Sequence, residues 1–309
     1  MAFNRRIKLL DVARDAGVSP ATVSRAIAQP ELVNSATLAR VRLSAARLGY
    51  VPGGAARALA SGRSMTVGAV VPTLDSAIFA RALQAMQTEL SRQGFQLLVA
   101  SHDYNAAAEA EAIRILLGRG VDGLILVGAE RPAAIWQLLQ GAGVAIVLTW
   151  CGDDRASSIV VDNEKAGVLA ARHLVELGHK RIGAVVGGLQ FNDRQTARLT
   201  GIRSALRAAA LDLPDWLVSE QPLTLAGGRT GCSSMLALEQ PPTALIGGID
   251  MLAIGCIEEV HSRGAHGPRG VVRRRHRQYR NVRPHISTTD ERPSAGRPNR
   301  RGCSKLPSR

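Results

Sequence analysis

The chain has 309 residues, of which 46% are hydrophobic and 3% aromatic, and its formal net charge at pH 7 is +14. No stretch is long and apolar enough for a membrane span and the N-terminus lacks a signal-peptide pattern, so we expect a cytoplasmic protein without membrane contact. Its four cysteines are scattered without metal-ligand spacing, so we expect neither a metal site nor a cofactor.

The positive charge is concentrated at the two ends of the chain. Residues 1–64 hold ten Lys and Arg against three Asp and Glu, a net charge of +7, and residues 265–309 hold thirteen against two, a net of +11. Residues 65–264 carry a net charge of −4. A basic N-terminal module before a mildly acidic body is typical of a protein that binds DNA at one end and a small molecule at the other.

Residues 8–28, KLLDVARDAGVSPATVSRAIA, predict two short helices joined by a tight turn. Gly17 suits the turn because it lacks a Cβ, Ser19 is a natural N-cap, and Pro20 fits the first helical position. Apolar residues recur at helical spacing on both segments. The pattern predicts a helix-turn-helix whose second helix enters the DNA major groove, in preference to an ordinary helical hairpin.

A third helix is predicted at residues 35–48, ended by Gly49, and would close a small three-helix core. Residues 53–64, GGAARALASGRS, fit either a flexible linker or a short helix that forms only in context.

From residue 65 onward, apolar runs of four to seven residues alternate with amphipathic segments. This alternation predicts parallel βαβ units in two lobes, with a ligand site beyond the carboxyl ends of the strands. The predicted strands are 66–72, 95–101, 123–128, 145–150, 158–162 and 181–187. The predicted helices are 79–93, 106–119, 133–140, 166–177 and 196–210.

Several of these segments, in order, resemble the lac repressor/GalR (LacI) family of bacterial transcription regulators. They are DVARDAGVSPATVSRAI (11–27), YVP (50–52), ARALASGRS (56–64), VGAVVP (67–72), DNEKAGVLAARHLVELGHKRI (162–182), RLTGIRSAL (198–206) and GGIDMLAIGCIEEV (247–260). The resemblance implies an α/β protein with a helix-turn-helix headpiece at 6–62, including a hinge helix at 53–61. It implies a two-lobed core like periplasmic sugar-binding proteins at 65–264, working as a homodimer on an operator.

The resemblance assigns the DNA contacts to one face of the second helix and to the hinge. The residues are Ser19, Pro20, Ala21, Thr22, Ser24, Arg25, Ala56 and Leu59. The hydroxyls would contact phosphates, and small, apolar Pro20 and Ala21 can offer little beyond a thymine methyl contact. Arg25 is then the side chain expected to read guanine, with a phosphate contact as the alternative. In the hinge, Leu59 would wedge into the minor groove.

In the core, the resemblance assigns effector contacts to Arg198 and Asp250, although Ile249 stands where the family has asparagine. Phe79 and Trp150 follow predicted strands, so each fits either stacking on a sugar ring or ordinary packing. The expected partners are therefore double-stranded DNA, a small carbohydrate effector and a second copy of the chain.

After Gly264 the sequence loses its apolar periodicity and predicts no strand. Residues 265–309 fit a basic disordered tail, or a shifted reading frame. Moving the frame forward by one nucleotide from codon 265 permits Leu-Thr-Val-Pro, then Leu-Ser-Val-Val-Gly-Ile-Asp-Asn, then His-Ile-Ser-Pro-Pro-Leu-Thr, which resembles the family's own continuation. We therefore favour a shifted frame and expect an incomplete C-terminal lobe.

The sequence thus favours a ligand-switched repressor that is cytoplasmic and associated with the nucleoid when bound to DNA. The alternatives are a sugar-binding module without regulatory output and a defunct regulator that binds DNA weakly without effector control. An enzyme is disfavoured, because Gly187-Gly188 lacks the rest of a phosphate-binding motif and no nucleophile–base set stands out.

Overall fold

The computed structural model describes residues 7–52 and 62–264, together with the backbone of residues 285–288. Three helices form the N-terminal part, and the predicted bounds of the third helix are confirmed. They are α1 (Leu9–Ala16), α2 (Pro20–Ala28) and α3 (Ser35–Leu48). Gly17 and Gly49 end α1 and α3 with φ of +63° and +64°, in the left-handed region where a residue without Cβ is favoured.

Beyond the headpiece, strands and helices alternate as predicted. In chain order they are β1 (Thr66–Val71), α4 (Ala77–Arg92), β2 (Gln96–Ser101), α5 (Ala106–Gly118), β3 (Gly123–Val127), α6 (Ala133–Gly141), β4 (Ala145–Trp150), β5 (Ser157–Val160), α7 (Asn163–Glu176), β6 (Ile182–Val186), α8 (Asp193–Ala208), β7 (Val218–Glu220), α9 (Leu225–Leu236), β8 (Ala244–Gly247), α10 (Asp250–Ser262) and β9 (His285–Thr288).

The chain packs as two units. Unit 1 runs up to residue 127 and includes 131–149 and 153–158, whereas unit 2 contains 128–130, 150–152 and the chain from residue 159 onward. Among the described residues, unit 1 carries most of a five-stranded sheet in the order β2-β1-β3-β4-β5, and the pairings of β1 with β2, β1 with β3 and β3 with β4 are parallel. Unit 2 carries a parallel sheet in the order β7-β6-β8-β9.

Helices α7 and α8 pack backbone to backbone in unit 2. A Cβ on Gly167 would lie 2.1 Å from the Arg198 carbonyl oxygen, and a Cβ on Gly201 would lie 2.0 Å from the Glu164 carbonyl oxygen. No side chain fits at either position, so the two glycines set how closely the helices approach. This contact fixes where Arg198, on α8, lies relative to α7.

The structure corrects the expectation that no strand follows Gly264. Residues 285–288 form β9, parallel to β8, with Ala244 opposite His285 and Gly247 opposite Thr288. Strand pairing uses backbone N–H and C=O groups, so it does not require the apolar alternation on which the expectation rested. The remainder of 265–309 lies outside the described residues.

Among the differences from the predicted bounds, two helix starts and one strand end bear on the candidate site. Helices α7 and α8 each begin three residues before the predicted start, and β5 stops at Val160. Asp162, predicted to be the last strand residue, instead caps α7 by accepting a hydrogen bond from the Lys165 N–H at 2.8 Å. In the part of the chain that the structure describes, the helices fall short of the length and apolar character that crossing a bilayer demands.

Candidate functional site

The outer face of α2 presents the predicted DNA contacts. Pro20, Ala21, Ser24 and Arg25 are exposed, whereas the opposite face, including Val23, is buried in the headpiece core. The arrangement follows from the 3.6-residue period, which turns residues 20, 21, 24 and 25 to one side. The structure therefore places these four predicted contacts together on one solvent-facing surface.

Ser19 and Thr22 have a structural task at the start of α2. Ser19 Oγ accepts a hydrogen bond from the Thr22 N–H at 3.1 Å and lies 2.8 Å from Thr22 Oγ1. An N-cap of this kind stabilises a helix by about 1 kcal/mol. The two hydroxyls thus fix the N-terminal turn of α2, at the helix end that the prediction directs toward the DNA.

An ion pair across the headpiece connects the first and third helices. Arg47 on α3 donates a hydrogen bond to Asp15 on α1, and this bond lowers the pKa of the Asp15 carboxyl below its ordinary value. The pair adds to the apolar core that Val12, Val23 and Val41 form between the three helices. The exposed face of α2 is therefore carried on a closed three-helix unit.

The predicted hinge residues Ala56 and Leu59 lie outside the described residues. The chain that follows the hinge is anchored to unit 1 by Asp122, which accepts hydrogen bonds from the N–H groups of Ser64 at 2.8 Å and Met65 at 2.9 Å. Burial opposes the charge of Asp122, but these bonds, a further bond from the Ser64 hydroxyl and the charge of Arg63 outweigh it and hold the pKa of the carboxyl below its ordinary value. Sequence reasoning missed Asp122.

Arg198 on α8 is buried, with 6% of its surface exposed, and its Nη1 donates to the Gly248 carbonyl at 2.8 Å. Gln195, one turn earlier, donates to the same carbonyl at 3.1 Å and accepts from the Gly187 N–H at 3.1 Å. Gly248 lies two residues before Asp250, the first residue of α10. The structure therefore joins the loop that leads into α10, two residues before Asp250, to the helix that carries Arg198.

Trp150, at the end of β4, has a φ of +67°, which is uncommon for a residue with a side chain. Asn163 holds this turn, because its Nδ2 donates to the carbonyls of Trp150 and Val161, each at 3.0 Å. Within the described residues, the buried Oδ1 of Asn163 has no hydrogen-bond partner. A constrained backbone and an unsatisfied buried acceptor are features that concentrate at binding sites.

A second constellation in unit 2 surrounds Asp193, in the first turn of α8. Its Oδ2 accepts hydrogen bonds from the N–H groups of Ala129 at 2.5 Å and Glu130 at 3.2 Å, and its Oδ1 pairs with Arg194 Nη1 at 2.8 Å. Gly128 makes room for this pair, because a Cβ there would lie 2.2 Å from Arg194 Nη1. One carboxylate is thus held by two backbone donors and one guanidinium.

Cys151 lies beside this carboxylate. Burial raises the pKa of its thiol to about 12, and the negative charge of Asp193 adds to the shift. At neutral pH the group is therefore a neutral thiol and a poor nucleophile, because the thiolate is the reactive form.

Phe79 belongs to α4 of unit 1 and is 5% exposed. This burial is consistent with ordinary packing, which is one of the two roles that the sequence allows for Phe79. The other is stacking on a sugar ring. Trp150, Arg198 and Asp250 all belong to unit 2.

Sequence reasoning missed Asn163, Asp193, Arg194 and Gln195 because it began α7 at Ala166 and α8 at Thr196. The sequence does hold a signal at the start of each helix. Asp162 is a good N-cap for α7. The mostly polar run from Asn192 to Arg198 is unusual for the start of a helix that is buried on one side.

Comparison with protein families gives two matches that together cover most of the chain. Residues 8–53 match the family described as bacterial regulatory proteins, lacI family. Residues 64–295 match the family described as periplasmic binding proteins and sugar binding domain of LacI family, a match that continues past Gly264.

Individual relatives agree with these matches. The chain is 29% identical over 264 residues to catabolite control protein A of Priestia megaterium, covering 85% of this chain and 80% of the relative. It is 32% identical to the HTH-type transcriptional regulator GntR of Pseudomonas aeruginosa, covering 86% and 78%. Among solved structures, the lac repressor dimer bound to operator and the anti-inducer ONPF matches with a TM-score of 0.70 and 25% identity, covering 85% of this chain and 79% of that one.

Proposed function

The chain belongs to the LacI family of bacterial regulatory proteins, and we propose that it represses transcription by binding a near-palindromic operator as a homodimer under the control of a small carbohydrate effector. The family makes it a DNA-binding transcriptional regulator with a sugar-binding domain, and not an enzyme. The observation that carries the finer proposal is the exposed face of α2, on which Pro20, Ala21, Ser24 and Arg25 lie together.

The homodimer is supported by apolar surface in both units. In unit 1 the edge strand β2 exposes Leu98 and Val99, and α4 exposes Ile78. In unit 2, Ile254 and Ile257 are exposed three residues apart on α10. Exposed apolar edges of this kind favour association, and two headpieces are what reading both halves of a palindrome requires.

The effector site is supported by Arg198 and Trp150 in unit 2. A buried guanidinium provides several donors in a fixed geometry that suits sugar hydroxyls or a carboxylate, and an indole offers an apolar face to a sugar ring. Asp250 is included in the proposed site because it follows, by two residues, the Gly248 carbonyl that Arg198 holds. We assign the protein to the cytoplasm, where it would associate with the nucleoid when bound to DNA.

Selection of bound fragments from random duplex DNA tests this function. We expect a palindromic site with a central pyrimidine–purine step, since such steps kink readily where a leucine is inserted. Affinity should fall steeply with salt, because each phosphate contact releases counterions. Repeating the selection with candidate sugars should change the yield of bound DNA. Recovery of unrelated sequences with no shared site would contradict the proposal.

A second candidate is a regulator that binds DNA weakly without effector control. The observation that favours it is at β5, the strand at one end of the five-stranded sheet, where all four residues are exposed and Ile159 and Val160 are 68% and 62% exposed. Soluble proteins rarely leave an apolar edge strand uncovered. The exposure is what we expect if a segment that normally covers this edge is absent.

A further inference from the structure

The Asp193 carboxylate in unit 2 occupies a site built for an anion. Two consecutive N–H groups, of Ala129 and Glu130, converge on its Oδ2 at 2.5 and 3.2 Å, and Arg194 Nη1 lies 2.8 Å from its Oδ1. Successive backbone N–H groups that point to one centre are a recurring way of binding anions, and a guanidinium strengthens the site by a charge-assisted bond. We call Gly128–Glu130 together with Arg194 the anion cradle.

The backbone of the cradle is shaped around the charge it holds. Gly128 has a φ of +76°, and a Cβ at this position would lie 2.2 Å from Arg194 Nη1 and 2.8 Å from Asp193 Oδ1. A side chain would therefore fill the space that the guanidinium and the carboxylate share. The Arg194 side chain is 9% exposed, whereas that of Asp193 is 21% exposed, so the carboxylate is the more accessible member of the pair.

The surroundings of the cradle add an unused acceptor. Asn163 Nδ2 lies 3.8 Å from Cys151 Sγ, and the Cys151 thiol is itself in contact with the Asp193 carboxylate. The Asn163 Oδ1 is buried, and no donor among the described residues satisfies it. A buried acceptor without a donor carries a desolvation cost, which a hydroxyl group that donates to it would relieve.

We propose that Asp193 is an internal stand-in for the effector, and that the effector is a polyhydroxy acid whose carboxylate replaces that of Asp193 in the anion cradle. A carboxylate fits because a carboxylate is what the cradle holds, and hydroxyls fit because Asn163 offers an unfilled acceptor. The proposal rests on the effector control proposed above and adds the chemical class of the effector. Displacement of Asp193 would release the first turn of α8 from residues 129 and 130, which gives binding a structural consequence.

If the Asp193 carboxylate competes with the acid for the anion cradle, substitutions at Asp193 and Arg194 should change the affinity for the acid in opposite directions. While Asp193 fills the cradle, only the fraction of molecules with an empty cradle can bind, and the apparent affinity is reduced by that fraction. Asp193→Asn removes the competing charge, so it should tighten binding of the acid about tenfold or more. Arg194→Gln removes the guanidinium and should weaken it at least tenfold. Neither variant should change binding of a neutral sugar in this way.

The experiment is isothermal titration of the full chain with D-gluconate, D-galactonate and D-glucuronate, each against its neutral counterpart D-glucitol, D-galactitol or D-glucose. The Asp193→Asn and Arg194→Gln variants are titrated in parallel, with Asp212→Asn as the matched control, because Asp212 is exposed in unit 2 and bonds to the N–H of its neighbour Leu213. D-glucose 6-phosphate tests a phosphate in place of the carboxylate.

Tighter binding of at least one acid to Asp193→Asn, with its loss in Arg194→Gln and no change in Asp212→Asn, supports the proposal. It is overturned if none of the acids binds Asp193→Asn more tightly than the parent chain, or if the sugar phosphate alone shows the effect. Operator binding measured on the same samples separates the two proposals. If the chain binds its operator and responds to a neutral sugar, the proposed regulatory function stands and the acid effector is rejected. If the chain binds no operator, the proposed regulatory function itself is rejected.

Discussion

At the scale of single residues, we expect Arg25 to decide how much sequence information α2 can read. Its neighbours on the exposed face are proline, alanine and serine, none of which makes a bidentate contact with a base. The structure leaves the side chain exposed on that face, as either a base contact or a phosphate contact requires.

Arg25→Ala distinguishes the two roles. If Arg25 reads guanine, we expect a loss of about 1–3 kcal/mol at the preferred base pair and relaxed specificity at that position alone. Quantitative gel-shift titration against operators changed one base pair at a time measures this. Arg40→Ala, at an exposed arginine of α3, is the control. A uniform loss over all operators, with a smaller salt dependence, would instead identify a phosphate contact.

The pKa of the Cys151 thiol depends on the negative charge of Asp193. Because burial and Asp193 raise the pKa of its thiol to about 12, the thiolate fraction at pH 8 is very small and alkylation should be slow. Asp193→Asn removes one of the two causes, so the pKa should fall and the rate of iodoacetamide labelling at pH 8 should rise.

Labelling is followed by mass spectrometry in a Cys303→Ser background, in which Cys232 and Cys256 are buried and serve as internal controls. An unchanged rate at Cys151 in Asp193→Asn would show that the carboxylate does not act on the thiol.

At the scale of elements, the glycine contact between α7 and α8 positions the part of α8 that carries Arg198. Gly201→Ala would place a Cβ 2.0 Å from a backbone oxygen of α7, which a side-chain rotation cannot relieve. We expect the variant to lose about 3 kcal/mol or more of unfolding free energy, the upper part of the range for overpacked sites.

The matched control is Gly118→Ala at the end of α5, where a Cβ would meet open space. Because alanine is favoured over glycine in a helix by up to about 1 kcal/mol, this variant should be neutral or slightly stabilised. Urea denaturation followed by tryptophan fluorescence compares the two. Equal midpoints would contradict the close contact of α7 and α8.

At the scale of the whole molecule, the open apolar edge at β5 agrees with the proposal of a shifted reading frame after codon 264. The match to the sugar-binding family continues to residue 295, and β9 adds a strand to the second sheet, so the chain beyond Gly264 retains some family character. The boundary of the core at residue 264 and the shifted frame both stay predictions.

Resequencing the coding region tests the shifted frame directly. A chain with the restored frame should be more soluble, dimerise more tightly and respond to effector, because it would supply the segment that covers apolar edges such as β5. Analytical ultracentrifugation and operator titration on both chains measure these changes. If the 309-residue chain is already a well-folded, effector-responsive dimer, the shifted frame has no functional consequence.

The sequence by itself determined the local architecture of this protein. The Gly17 turn, the Ser19 cap with Pro20 after it, and the bounds of α3 follow from short-range rules, because a cap or a turn depends on residues a few positions apart. The alternation of strands and helices was equally readable from apolar periodicity.

The tertiary structure alone decided which distant residues meet. The Asp193 carboxylate bonds to residues 129 and 130, more than sixty positions away, and Gln195 and Arg198 bond to Gly248, about fifty positions away. Periodicity carries no information about such pairs, because they depend on how the loops after β3 and β8 come to lie against α8. Strand β9 is a second example. Its residues lack an apolar pattern in the sequence, but they pair with β8 because strand pairing needs only backbone N–H and C=O groups.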